Sequence, residues 1–410
     1  MSTEATAPGG LKADLAGQGR NLALATFAFT ATFWAWNLIG PLAVRYTSAM
    51  SLSGPQKALM VATPVLVGSI GRIPVGALTD RFGGRVMFPI LTLATVPFVV
   101  LVAVAGEADS FPLLLVFGFF LGIAGTTFAV GIPFVNAWYQ ADRRGFATGV
   151  FGAGMGGTAL SSAITPRMVE HFGYLATHII IAVALVAVAA VSWFGMRNSP
   201  TWSPNTSPVM PKLKAAARLP VTWQMAFLYA VTFGGFVAFS TYLPTYLKDI
   251  YDFDLTAAGT RTAGFAIAAV IARPIGGALS DRIGPRVVMG ISLMGTAVMA
   301  VILAFQPPLE IPAGVAFVLM ALFLGLGAGG VFAWVAQQAP KEQVGTVSGL
   351  VGAAGGLGGY FPPLVLGATY GAVFAGYGFG LILLAVVAVG ALAFTFLAIP
   401  KAAREAESAR

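Results

Sequence analysis

The chain has no cysteine and only two histidines, His171 and His178, in 410 residues. Without thiols there is no disulfide, no thiolate metal site and no thiol nucleophile. Two histidines are too few for an ordinary metal centre or a histidine-based triad. No metal and no cofactor is expected, and no covalent chemistry, so the chain does not read as an enzyme. Charge is scarce too: 9% of residues are charged, against roughly 25% in soluble domains. The apolar share is 57% and the mean hydropathy +0.84. That is the composition of a polytopic membrane protein, with the lipid bilayer as its constant partner. The first twenty residues lack the apolar core of a signal peptide, and their acids argue against a transit peptide.

A spanning helix needs about 20 mainly apolar residues. Twelve segments qualify: 21–44, 57–79, 86–105, 111–139, 145–166, 174–196, 222–247, 258–280, 287–305, 312–338, 344–370 and 374–399. The expected fold is therefore all-α, with twelve transmembrane helices. A Pro- and Ser-rich polar stretch divides them into bundles at 21–196 and 222–399, joined by a linker at 197–221 and flanked by tails at 1–20 and 400–410. With the N-terminus inside, sixteen Lys and Arg fall on the inner side and five on the outer. Basic residues concentrate on the cytoplasmic side of membrane proteins, so both termini are expected in the cytoplasm. The net charge of +8 is then topology. A nucleic-acid partner would need a soluble basic face, and none is read. A monomer in the cell membrane is expected.

The two bundles repeat. Arg72 matches Arg273, Asp80 matches Asp281 and Arg81 matches Arg282, all at an offset of 201. Gly145, Gly149, Gly152 and Gly156 in the fifth segment match Gly345, Gly349, Gly352 and Gly356 in the eleventh, at an offset of 200. Paired six-helix halves with a site between them at mid-membrane are a transporter architecture.

Arg72 lies eight residues before Asp80, about 12 Å along a helix axis. That places it near mid-membrane, and Arg273 likewise. A central arginine costs about 2.5–3.5 kcal/mol on insertion scales, and its usual relief is a buried carboxylate. All fifteen acids fall in loops, tails or segment ends. Backbone carbonyls could take up an arginine's donors, and then it would only hold helices together. A symmetric pair with no acid near it points instead to an anionic substrate as counter-ion.

The stretches "GALTDRFGGR" and "GALSDRIGPR" resemble the loop motif of the major facilitator superfamily. By that resemblance Asp80, Arg81, Arg85, Asp281, Arg282 and Arg286 form a latch that holds the halves together in the outward-facing state. The glycine stripes, with Gly152, Gly156, Gly352 and Gly356, are read as close helix packing that also lines a substrate path.

Within that superfamily, "GVFGAGMGGTALSS" and "GLVGAAGGLGGYFPP" resemble the two signatures of the nitrate/nitrite porters. So do "FWAWNLIGP", "AGTTFAVGIPFVNAWYQ" and "FLYAVTFGGFVAFSTYLPTYL" in the first, fourth and seventh segments. The resemblance spans nearly the whole chain and is closest to short actinobacterial members. It implies that Arg72 and Arg273 bind the anion directly. It also implies that aromatics sandwich it: Phe128, Tyr229 and Phe233, with Phe33 or Trp36 from the first segment. The family pattern has an asparagine where this chain has Met155, which leaves selectivity between nitrate and nitrite open.

The resulting expectation is a secondary transporter of nitrate and nitrite, by exchange. Nitrate/proton symport and exchange of formate or oxalate stay open. Proton coupling usually uses an intramembrane acid or histidine, and His178 is the one candidate. A membrane-bound sensor would need an output domain longer than this linker.

Overall fold

The computed structural model describes residues 16–139, 144–205, 208–308, 311–340, 343–371 and 376–399. Most of the N-terminal tail and the whole C-terminal tail lie outside these, as does Arg143. Eleven described helices are long and apolar enough to cross a bilayer. They are α1 (Gln18–Met50), α2 (Gly54–Phe82), α3 (Gly84–Glu107), α4 (Phe111–Trp138), α6 (Tyr174–Gly195), α7 (Pro220–Tyr251), α8 (Leu255–Ile283), α9 (Pro285–Ala304), α10 (Ala313–Gln338), α11 (Val344–Ala368) and α12 (Gly378–Leu397). The twelfth is α5, helical over 144–172 and richer in Gly, Ser and Thr.

Several helices outrun the apolar segments: α7 begins at Pro220 and α8 ends at Ile283. Apolarity marks the lipid-buried part, while the backbone ladder continues into polar ends. Five spans are interrupted where the sequence removes a donor or a side chain. In α1 the regular helix stops at Trp36 and resumes at Ile39, and Pro41 cannot donate to the Asn37 carbonyl. In α2 the joint is Gly71, with Pro74 just beyond. Tight 3-10 turns at Gly122–Thr126 and Ala153–Gly156 interrupt α4 and α5, and α11 breaks between Gly358 and Phe361. Irregular backbone survives at membrane depth only where protein surrounds it. These joints therefore mark the protein-lined interior.

The halves are α1–α6 and α7–α12. Each uses the same partners: α3 packs on α6 as α9 packs on α12, and α2 meets α4 as α8 meets α10. The halves touch through α5 and α8, α1 and α7, and α2 and α11. One face of the molecule, the linker face, carries the connection between the halves and the Asp-Arg loops. Those loops turn on Gly83 (φ 79°) and Gly284 (φ 87°), in the left-handed region that glycine enters freely. This is why both repeats keep glycine there. Residues after α6 fold back over the first loop: Asn198 Oδ1 accepts from the Arg85 backbone N–H at 3.0 Å, and the Asn205 N–H donates to the Asp80 carbonyl at 3.0 Å. A short helix, Val209–Ala217, then packs under α11 and α7.

On the opposite, far face the halves close tightly. A β-carbon on Gly40 would lie 2.6 Å from the Thr241 carbonyl, and one on Gly259 would lie 2.1 Å from that of Ser162. Toward the linker face, Gly76, Gly152, Gly345 and Gly349 have open space beside them. The backbones of the two halves thus meet in direct contact at the far face, at Gly40 and Gly259.

Candidate functional site

Arg72 begins the second segment of α2, directly after the Gly71 joint. Its side chain is buried. Nε donates to the Gly68 carbonyl at 2.9 Å and Nη1 to the Gly352 carbonyl of α11 at 2.7 Å. Nη2 is buried without a partner. Backbone capture, the alternative role for a membrane arginine, thus accounts for part of this guanidinium and leaves one nitrogen over.

Arg273 is half-buried on α8, immediately before Pro274. Nη2 donates to the Tyr229 hydroxyl at 2.8 Å, and Nη1 points to the Met155 thioether at 2.7 Å. Neither arginine pairs with an acid among the described residues; the three ion pairs are Arg45–Glu107, Lys57–Asp249 and Lys248–Asp252.

Both guanidinium groups face the same two rings. Arg72 Cζ lies 4.8 Å from the Phe128 centroid and 5.6 Å from that of Phe233. Arg273 Cζ lies 5.8 and 5.4 Å from the same two. Such cation–ring contacts offset part of the cost of burying the charge. Phe128 and Phe233 are inclined by 24° with centroids 6.4 Å apart. That is close to the ~7 Å that two van der Waals contacts of about 3.5 Å would need to hold a planar group. Tyr229 stacks on Phe233 at 4.8 Å, within 3° of parallel. Among the described residues, the place where the two halves meet at mid-membrane holds two cations, parallel aromatic faces and one spare donor. It suits a small planar anion.

Other expected residues sit elsewhere. Phe33 packs between Phe29 and Trp36, at 4.3 and 4.8 Å, and Trp36 Nε1 donates to the Pro64 carbonyl at 3.2 Å. Trp36 fills the crossing of α2 and α4, against Gly68 and Gly125. The first-helix aromatic that reaches Phe128 is Phe29, at 5.9 Å. Phe332 of α10, absent from the sequence reading, lies 5.8 Å from Arg273 Cζ and edge-on to Tyr229 at 4.9 Å. A signal for it existed: "GGVFA" in the tenth segment parallels "GTTFA" around Phe128.

The glycine stripes divide. Gly152 and Gly156 face open space, whereas Gly356 packs on Ser69 of α2 and Gly352 touches Phe128. On α5 the packing on α1 falls instead to Gly154 and Gly157. The latch residues make no ion pair across the halves among the described residues. Arg286 departs furthest from the latch role: its Nη1 and Nη2 donate to the Ile399 and Phe396 carbonyls at 2.9 and 2.6 Å. It caps α12 within its own half, as cations do at helix C-termini. Arg81 lies over Phe82.

Residues 25–359 and 251–410 match the Major Facilitator Superfamily. The probable nitrate/nitrite transporter NarK2 of Mycobacterium tuberculosis is 58% identical over 381 residues, covering 93% of this chain and 96% of that protein. The chain belongs to the nitrate/nitrite porter family of the Major Facilitator Superfamily. The nitrite extrusion protein of Bacillus subtilis is 34% identical, covering 85% of this chain and 87% of that one. The probable nitrate/nitrite antiporter NarK1 of Thermus thermophilus is 35% identical, covering 84% of each. Among solved structures, the human organic anion transporter MFSD10 aligns with a TM-score of 0.72 at 13% identity, over 92% of this chain and 99% of that one. A bacterial Spinster homologue, inward-facing and occupied, aligns at 0.70 and 21%, over 92% and 96%. These two carry the fold alone. As a family member, the chain is a multi-pass membrane protein and a secondary transporter.

Proposed function

We propose that this chain exchanges nitrate and nitrite across the cell membrane by alternating access, with the anion held between Arg72 and Arg273 and stacked between Phe128 and Phe233. One observation carries the reading: the two guanidinium groups share a ring pair while one donor of Arg72 stays buried and unpartnered. Planar guanidinium forks suit planar oxyanions. The names of the relatives point to the same anions. The linker face is taken as cytoplasmic from the distribution of basic residues, and the carrier works as a monomer.

Exchange follows from electrostatics. At a separation of ~8 Å and an effective dielectric near 20, two guanidinium groups repel by about 2 kcal/mol. A bound anion cancels that, so the loaded carrier closes around its site more readily than the empty one. Proton symport is less favoured. His178 binds the Tyr174 carbonyl of its own helix through Nδ1 and packs on the Tyr174 ring. It contacts neither arginine.

The test is counterflow of labelled nitrate against internal nitrite in proteoliposomes, with and without a pH gradient. Uptake driven by nitrite and indifferent to the gradient is expected. Uptake that needs the gradient and no internal anion overturns exchange. Stronger competition by formate or oxalate than by nitrite overturns the substrate.

A further inference from the structure

The far face holds a cluster that the anion site does not use. Lys57, in the first turn of α2, reaches Asp249, in the last turns of α7, at 2.5 Å. Among the described residues it is the one ion pair that joins the two halves. It is largely buried, with side-chain exposures of 11% and 20%. The same carboxylate oxygen, Oδ2, accepts the hydroxyl of Tyr377, the residue before α12. Tyr377 is buried, lies 3.2 Å hydroxyl to hydroxyl from Tyr242, and stacks on Tyr246 at 5.1 Å. Next to the pair, α2 and α11 meet without side chains: a β-carbon on Gly367 would lie 2.4 Å from that of Ala58 and 2.8 Å from the Gly54 carbonyl.

We infer that Lys57, Asp249 and Tyr377 form the outer gate of the transport cycle, a charge-locked contact that must break before an anion can reach Arg72 from the far face. A path from that face to the site has to part α2 from α7 and α11, and this is where they are tied. Two features suit a gate better than a permanent strut. Both charges sit near the membrane boundary, so on opening each is rehydrated rather than stranded in hydrocarbon. The ammonium that is released is then a cation at the mouth of the path, where an incoming anion benefits from it. Closure without an anion rests on this lock, because the arginines repel one another.

The inference rests on alternating access but not on the identity of the anion. The chain has no cysteine, so single reporters are clean. Thr245→Cys reports the far face: it is buried on α7, one turn inside Asp249 and on the helical face of Thr241, which meets Gly40. Gly349→Cys reports the linker-face opening. With the gate intact and no anion present, a water-soluble maleimide should label Gly349→Cys fast and Thr245→Cys slowly. Asp249→Asn should raise labelling of Thr245→Cys by at least about tenfold, because removing one partner of a largely buried pair leaves the other charge uncompensated, and lower that of Gly349→Cys. Tyr377→Phe should move both in the same directions by less, and the swap of Lys57→Asp with Asp249→Lys should restore the first pattern. Labelling unchanged at both reporters, or raised at both together as in general loosening, overturns the gate. Because no anion is present, that result is independent of the nitrate counterflow, and failure of the counterflow leaves the gate standing.

Discussion

Arg72 and Arg273 stand 201 residues apart at matching places in the repeat, yet they are held differently. Arg72 is bound by two backbone carbonyls, one of them across the halves on α11. Arg273 is bound by two side chains, a phenol and a thioether. Carbonyls of packed helices do not rotate away, whereas the unbranched Met155 thioether is adaptable. The pair is thus one fixed pole and one adjustable pole. The glycine stripes divide in the same sense: Gly356 of α11 is packed against Ser69, while Gly152 and Gly156 of α5 face space. Near-symmetric sequence has produced a tight seam between α2 and α11 at Gly356 and open space at the matching Gly156 of α5, although α5 closes tightly on α8 further along, at Ser162.

The largest effect should come from the arginines. Lysine keeps the charge and loses the fork. Arg72→Lys should abolish nitrate uptake and lower the melting temperature, because it also disrupts the bond to the Gly352 carbonyl across the halves. Arg273→Lys should reduce uptake by about 10- to 100-fold, the range set by losing one charged hydrogen bond of roughly 1.5–3 kcal/mol, with little change in melting temperature. Equal loss of stability in the two variants would remove the distinction between fixed and adjustable poles.

Next come the seams. A β-carbon on Gly356 would fall 2.2 Å from Ser69 Oγ, whereas one on Gly156 meets nothing within 4 Å. Gly356→Ala should cost about 1–3 kcal/mol of stability through overpacking and slow transport. Gly156→Ala should be close to neutral in both. Thermal unfolding and initial uptake rates of the two variants decide it, and a damaging Gly156→Ala would mean that α5 also closes tightly during the cycle.

Much of this was legible in the sequence, and the missing parts share a cause. The scarcity of charge, the spacing of Arg72 from Asp80 and the repeated glycine at each loop fix the architecture, because each follows from bilayer thickness or backbone sterics. Phe128, Tyr229 and Phe233 came through resemblance and do meet the arginines. The first-helix aromatic did not: Phe29, Phe33 and Trp36 lie on one helix, and only the break at Asn37 and the crossing over Gly68 decide which ring turns inward. Phe332 was within reach of the repeat. Lys57 opens the second segment and Asp249 lies just past the seventh, and nothing along the chain says that residues 192 positions apart will touch.

The smallest effect, and the finest probe of the adjustable pole, concerns Met155. Its place in the repeat matches Gly355, which α11 uses to admit Tyr229 at a distance no side chain could share. On α5 the corresponding side chain runs across the halves to Arg273, with its sulfur 2.7 Å from Nη1. A thioether is a weak acceptor and no donor, so it occupies that nitrogen without competing strongly for it. Met155→Asn changes both terms. The amide oxygen is a better acceptor and holds Arg273 more firmly, and the amide nitrogen can donate to an anion in the pocket. If the donor reaches the anion, a net gain of about 0.5–1.5 kcal/mol is expected, a roughly two- to twelvefold lower apparent constant. It should differ between nitrate, with three oxygens, and nitrite, with two. If the methionine only fills space between α5 and α8, the variant loses stability and both anions shift alike. Transport constants for the two anions, measured beside the melting temperature, separate these outcomes. An equal shift for nitrate and nitrite removes Met155 from the site and leaves Tyr229 as the partner that holds Arg273.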